Sequence, residues 1–337
     1  MPENSGAEIQ QINNVNETSG KRMVLISDAH LYESSDPLHR DLAGKQSKGE
    51  RLIARSMAEN EKKFVLTLET AERLGSTDYL FFGGDMVTGY GERGLTGPDS
   101  QTNINKFKST LEGYFLGTPR KYMAGGHELG YVAALSTDPE GGITEKSIEI
   151  FEGNFNELFY TFSDGSYKFV VLSSDLAMAN GPTEKIQKIK EQQEEFVKDE
   201  MEYTKQGQKI VLMLHDPDAL VPLSPLLDGN LDKISKTFAG HQHSQIMNDL
   251  YPYLCKTASS RILSEPLKAA FNKMFPGKAE AMWQYFQNNT ENAKVWKSAK
   301  LSVIPAPGGL LGYGGGFLVA EFNETGVVVK KHSIDPK

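Results

Sequence analysis

The chain has 337 residues, 39% of them hydrophobic and 24% charged, with a net charge of −8 and a pI near 5.5. This is ordinary globular usage, so wholesale disorder is excluded, and a chain of this length can bury a sizeable core without covalent staples. A single cysteine, Cys255, excludes a disulfide framework and any zinc site built on clustered thiolates. The acidic balance argues against a broad polyanion-binding face and hence against a nucleic-acid duplex as partner, while a cation-loaded cleft could still hold one phosphate.

Residues 1–20 are rich in Asn, Glu and Ser, contain no aromatic residue or apolar run, and read as a tail. A secretory signal needs a basic start and a continuous apolar stretch, and neither is found; no window approaches the ~20 apolar residues of a membrane span. The expectation is a soluble, cytoplasmic protein. The Asn-x-Thr triplets at Asn16, Asn288 and Asn323 are then chance matches.

From Lys21 onward short apolar runs alternate with helical stretches. Met23–Ser27, Tyr79–Phe82, Lys121–Ala124, Phe169–Ser173, Lys209–His215 and Lys236–Ala239 are short, apolar and bounded by turn residues, which predicts buried strands. Between them, Arg51–Leu74, Asn105–Tyr114, Thr144–Phe155 and Thr183–Tyr203 carry helical patterns; in the last, Ile186, Ile189, Gln193, Phe196, Val197 and Met201 share one face. Strands joined by helical crossovers imply an α/β domain with much parallel sheet. Phe317–Phe322 and Val327–Lys331 read instead as an antiparallel hairpin, so the sheet should be mixed.

The stretch 248–301 departs from the alternation. Leu267, Ala270, Phe271, Met274 and Phe275 follow helical spacing, Pro276-Gly277 interrupts, and a second amphipathic piece holds Met282, Trp283 and Phe286. It reads as a helical insertion, either a hairpin packed on the core or a lid or partner surface beside the active site. One domain over 21–337 with this insertion is the expected organisation.

The histidines carry the chemical signal. Of seven, His30, His127, His215, His241 and His243 fall just after a predicted strand and beside Gly or Asp. Carboxyl ends of strands in an α/β sheet are where loops converge on a ligand crevice. Several imidazoles and carboxylates gathered there are costly to desolvate unless something binds them. Imidazole with carboxylate and no thiolate suits Zn, Mn or Fe in a catalytic site. Asp28 and His30 share one face of an extended strand, and Asp85 is placed to bridge two ions ~3.5–4 Å apart, the spacing that clamps the attacking and leaving oxygens of an in-line phosphoryl displacement.

Asp28-x-His30, Gly84-Asp85, Gly125-Gly126-His127-Glu128, the later His215 and Gly240-His241-x-His243 together resemble, in order and spacing, the calcineurin-like metallophosphoesterases. The resemblance runs from about residue 23 to about residue 331. It implies two mixed sheets packed face to face with helices outside, a four-layer αββα sandwich. It also implies a hairpin of Tyr160–Phe162 with Tyr167–Ser173. Residue by residue, it implies a first metal on Asp28, His30 and His243, a bridge at Asp85, and a second metal on His215 and His241. His127 would face the phosphoryl group, with Glu128 orienting it through a carboxylate–imidazole hydrogen bond. The implied activity is hydrolysis of a phosphomonoester or phosphodiester of a small molecule by a hydroxide activated between two divalent ions, Mn, Fe or Zn.

One position departs from that pattern. The family has Asn where this chain has Gly126, and that Asn gives an amide oxygen to the second metal. The second site is therefore expected to be weaker, unless Asp216 or another loop residue steps in. The Gly308–Gly316 stretch precedes a predicted strand rather than a helix and lacks a phosphate-loop or dinucleotide fingerprint. No nucleophile elbow or His-Glu-x-x-His zinc motif is found. Asp85 is not followed by the continuation typical of Ser/Thr phosphoprotein phosphatases. The alternative function is a catalytically weak or inactive scaffold of the same fold that holds a partner through its insertion.

Overall fold

The computed structural model describes residues 20–31, 48–88, 91–97, 99–130, 142–179, 183–242, 264–274, 292–307 and 315–334. The amino-terminal tail, His243, the glycine-rich loop at 308–314 and most of 248–291 lie outside the described residues. Two five-stranded mixed sheets form the framework.

In the first sheet, β1 (Lys21–Ile26) lies at the centre, parallel to β2 (Tyr79–Gly83), which is parallel to β3 (Arg120–Met123). On its other side β1 runs antiparallel to β9 (Gly316–Asn323), which forms a hairpin with β10 (Gly326–Ser333). In the second sheet β4 (Tyr160–Asp164) and β5 (Tyr167–Val171) form an antiparallel hairpin. Then β5, β6 (Lys209–Leu214), β7 (Ile234–Ala239) and β8 (Leu301–Val303) run parallel in that order.

Three buried layers explain why the inner strands read as unbroken apolar runs. Met23 and Leu25 point between the sheets, where they join Phe81, Phe169, Val171, Met213, Phe238 and Leu318. Their neighbours Val24 and Ile26 point the opposite way, onto Phe64 and Leu68 of α1 (Lys48–Arg73), Phe107 of α2 (Ser100–Leu111) and Phe151 of α4 (Glu145–Asn154). On the outer face of the second sheet, Val170 and Leu172 meet Val197 and Met201 of α6 (Glu184–Glu202) and Leu223 of α7 (Leu220–Leu227). Strand side chains alternate faces, so a sheet covered on both sides must be apolar at every position. The result is the αββα sandwich, with the apolar face of each helix turned onto a sheet.

The predicted strands and the four helices predicted between them form, with their ends displaced by a few residues, while the second amphipathic piece of the insertion, with Met282, Trp283 and Phe286, lies outside the described residues. Among the elements that escaped the pattern, β8 spans three residues, too short for an alternation to register, and α7 contains Pro225, which reads as a helix breaker. Within 248–301, α8 (Ser264–Met274) and α9 (Asn292–Ser298) are helical. Trp296 is 3% exposed and sits with Ala299 in the outer layer of the second sheet, so the end of the stretch belongs to the core. Among the described residues no helix is long and apolar enough to cross a membrane.

Candidate metal centre

Every parallel strand of the two sheets hands its chain to one end of the sandwich, and the candidate residues lie there. Asp28 and His30 follow β1, Asp85 follows β2, His127 and Glu128 follow β3 in the short helix α3 (Gly126–Leu129), His215 follows β6 and His241 follows β7.

The loops carrying them are stitched to one another. Past its last strand residue, β1 continues to pair with the β2 loop: Asp28 N–H donates to Gly84 O at 2.9 Å and His30 N–H to Asp85 O at 2.9 Å. His241 N–H donates across the sheets to Asp28 Oδ2 at 3.0 Å, and Ser27 Oγ–H is 2.5 Å from the same oxygen. A Cβ on Gly240 would come within 2.8 Å of Asp28 Oδ2, so glycine is required for that approach. Gly84 has a φ of +89°, and a Cβ there would strike the His215 ring.

Asp28, His30, Asp85 and His241 adopt φ values of 55°, 46°, 49° and 61°. A left-handed conformation costs a non-glycine residue roughly 1–2 kcal/mol. Each of the four has its N–H committed to a partner from another motif, which over-determines the conformation.

The side chains form two groups that share one carboxylate. His30, Asp85 and His127 can each offer a ligand atom, all within 4.8 Å of one another, and so can Asp85, His215 and His241. Asp85 Oδ2 lies 3.0 Å from His215 Nε2 and 4.0 Å from His30 Nε2, while Oδ1 accepts the His127 N–H at 2.9 Å. Asp28 Oδ1 lies 3.9 Å from His30 Nε2. The His30 and His127 rings meet edge to face, their centroids 4.6 Å apart, and the His215 and His241 rings do the same at 5.4 Å. The structure thus sets His127 beside His30, close to the side expected for the first metal.

Burial opposes charge on Asp85, but His215, His127 and His30 around it and the His215 hydrogen bond hold its carboxyl well below the usual range. Burial likewise opposes charge on His215, and Asp85, Asp28 and the Gly83 carbonyl outweigh it and raise its pKa well above the ordinary value. His215 Nδ1 lies 2.7 Å from Gly83 O, which fixes the ring with Nε2 toward Asp85.

Glu128 does not take the place expected of it. It is 0% exposed, and its two oxygens accept backbone N–H groups from Asp85 (2.9 Å), Met86 (2.8 Å), Val87 (3.1 Å) and Gly125 (2.9 Å). The carboxylate is occupied in tying the β2 loop to the β3 loop, in place of the imidazole contact read from the sequence. Burial and the Asp85 charge push it up to about 8, against the pull of the Val87 and Gly125 bonds.

Two further carboxylates reach the site. Asp216 Oδ2 lies 3.5 Å from His241 Nε2. Asp175, in the short helix α5 (Ser174–Met178) after β5, is 5% exposed, and its Oδ2 has no hydrogen-bond partner among the described residues. Burial, opposed by His215 and reinforced by Asp85 and Asp216, raises Asp175 to about 7. The sequence offered a signal for Asp175: like the recognised ligands, it closely follows a buried strand.

No family model and no curated protein matches this sequence. Among solved structures, the chain is similar to a dimetal phosphatase from Danio rerio at 12% identity and a TM-score of 0.49, over 94% of this chain and 96% of that one. It is similar to a purple acid phosphatase from yellow lupin (Lupinus luteus) seeds at 17% identity and a TM-score of 0.39, over 67% of this chain and 38% of the lupin chain. A phosphopantetheinyl hydrolase from Mycobacterium tuberculosis is similar at 16% identity and a TM-score of 0.30, over 66% of this chain and 83% of that one.

Proposed function

We propose that the chain is a metal-dependent phosphoester hydrolase that holds two divalent cations on either side of Asp85 and acts on a small phosphorylated molecule. The observation that carries this reading is the sharing of one buried carboxylate by two groups of metal-compatible donors. Imidazole nitrogens and carboxylate oxygens converging from both sheets, with no thiolate among the described residues, fit Mn, Fe or Zn. Without cations, the same buried cluster carries a desolvation cost with no evident return.

In this reading Asp28 and His30, with His243, hold the first cation, and His215 and His241 hold the second. Bound cations would supply Lewis-acid polarisation of the phosphoryl group and a lowered pKa for an attacking water. The protein's own part is placement. Glu128 fixes the Asp85 loop to the β3 loop through four N–H bonds, and His127, half-buried, protonates the leaving oxygen or offsets charge developing on the transferred group.

The test is hydrolysis of an aryl phosphomonoester and an aryl phosphodiester with added Mn²⁺. Metal-dependent cleavage of at least one is expected. Folded protein that cleaves neither with Mn²⁺, Fe²⁺ or Zn²⁺ would instead support the scaffold reading, which Gly126 alone favours.

A further inference from the structure

We propose that Asp216 supplies the side-chain oxygen that Gly126 cannot give to the second cation. The inference rests on the two-cation reading above and concerns how this chain completes its second site.

Among the described residues, the second group of donors, Asp85, His215 and His241, comes from the loops after β2, β6 and β7 and includes no His, Asp or Glu from the loop after β3. Asp216 adjoins His215, and its Oδ2 stands 3.5 Å from His241 Nε2. That is long for a hydrogen bond but suits two atoms bound to one ion, because ligands each ~2.1 Å from a cation at a tetrahedral angle stand ~3.4 Å apart. The 3.0 Å between Asp85 Oδ2 and His215 Nε2 fits the same arrangement at a smaller angle.

Asp216 is also held where a ligand would need to be. Its N–H donates to Ser174 Oγ at 2.8 Å, and its Oδ1 accepts the Asp218 N–H at 2.9 Å as the cap of the 3₁₀ turn Pro217–Ala219. One oxygen and the backbone are thereby fixed, leaving Oδ2 directed to His241. Among the described residues no Lys or Arg is in ion-pair contact with Asp216. The buried Asp175, whose Oδ2 has no hydrogen-bond partner among the described residues, lies within electrostatic reach of His215, Asp85 and Asp216. A cation between Asp85 and Asp216 would neutralise charge on both sides of His241.

The capping role and the ligand role separate by substitution. Asp216→Ser keeps a good cap acceptor but cannot reach the cation; Asp216→Asn keeps both the cap and an oxygen but loses the charge. Binding of Mn²⁺ is measured on the full chain by equilibrium dialysis and by the coupled two-manganese EPR signal. Two ions are expected for the wild type. The second should weaken by at least about tenfold in Asp216→Ser and by less in Asp216→Asn, with the first ion unchanged. An unchanged second affinity in either folded variant overturns the proposal while leaving the two-cation reading intact. A wild-type chain that takes up no ion overturns both.

Discussion

Glu128 and Asp85 lock one another's loops: the Glu128 carboxylate accepts the Asp85 N–H at 2.9 Å, while the Asp85 carboxylate accepts the N–H of His127, next to Glu128, at 2.9 Å. The carboxylate that both candidate cations would share is therefore oriented before any cation arrives.

Removing that lock should be costly. Glu128→Ala leaves four buried N–H groups without an acceptor, each worth ~1–3 kcal/mol, so a loss of at least about 3 kcal/mol of unfolding free energy is expected. Urea denaturation of the metal-free protein checks it. A change under 1 kcal/mol would mean that water or another side chain replaces the carboxylate.

His127 lies in one donor group with His30 and Asp85, so its role is decided by what its removal takes away. If it serves the leaving group, His127→Ala should retain both ions and lose turnover by about 10²–10⁴. Loss of one ion in elemental analysis would make His127 a ligand and move proton donation elsewhere.

Asp175 makes a prediction about pH. Its carboxyl rises from an ordinary 3.8 to about 7 because it is buried, with Asp85 and Asp216 adding to the shift and His215 opposing it. The folded state then holds a proton that the unfolded chain has released, so stability falls as pH rises from about 4 to about 7. Asp175→Asn should flatten that part of the profile in urea unfolding of chelated protein between pH 4 and 8. A variant with the wild-type slope would assign the effect to another group.

The two ends of the 248–301 stretch should respond differently. Trp296 is buried in the outer layer of the second sheet, and Asn292 Nδ2 donates to Asp218 Oδ1 at 2.7 Å, two residues from Asp216. Trp296→Ala should cost about 3–5 kcal/mol in denaturation. Asn292→Ala should weaken the second cation by disturbing the Asp216 turn. Unchanged metal affinity in Asn292→Ala would show that the turn stands without that bond.

Much of this architecture is legible in the residues because the inner strands are covered on both faces. Met23 to Ile26 must be apolar throughout, and a short apolar run between turn residues has few other meanings. The site is legible for a related reason: parallel strands deliver their carboxyl ends to one edge, so polar residues just after them converge. What escaped depends on contacts between distant segments. Glu128 stands beside His127 in sequence, yet its partners come largely from the β2 loop, about forty residues earlier. Asp216 is legible in the sequence as one possible stand-in for the missing Asn, but its distance from His241 is set by the pairing of β6 with β7. The left-handed conformations at Asp28, His30, Asp85 and His241 have no local signature, since they are imposed by hydrogen bonds across loops.

The most direct test of the central claim, that Asp85 is shared by two cations, is the metal content of the wild type and of Asp85→Asn after saturation with Mn²⁺ and removal of excess. Close to two ions per wild-type chain, with both weakened together in the variant, is the predicted result. Loss of only one ion would show that Asp85 serves a single site, and retention of both would contradict the account.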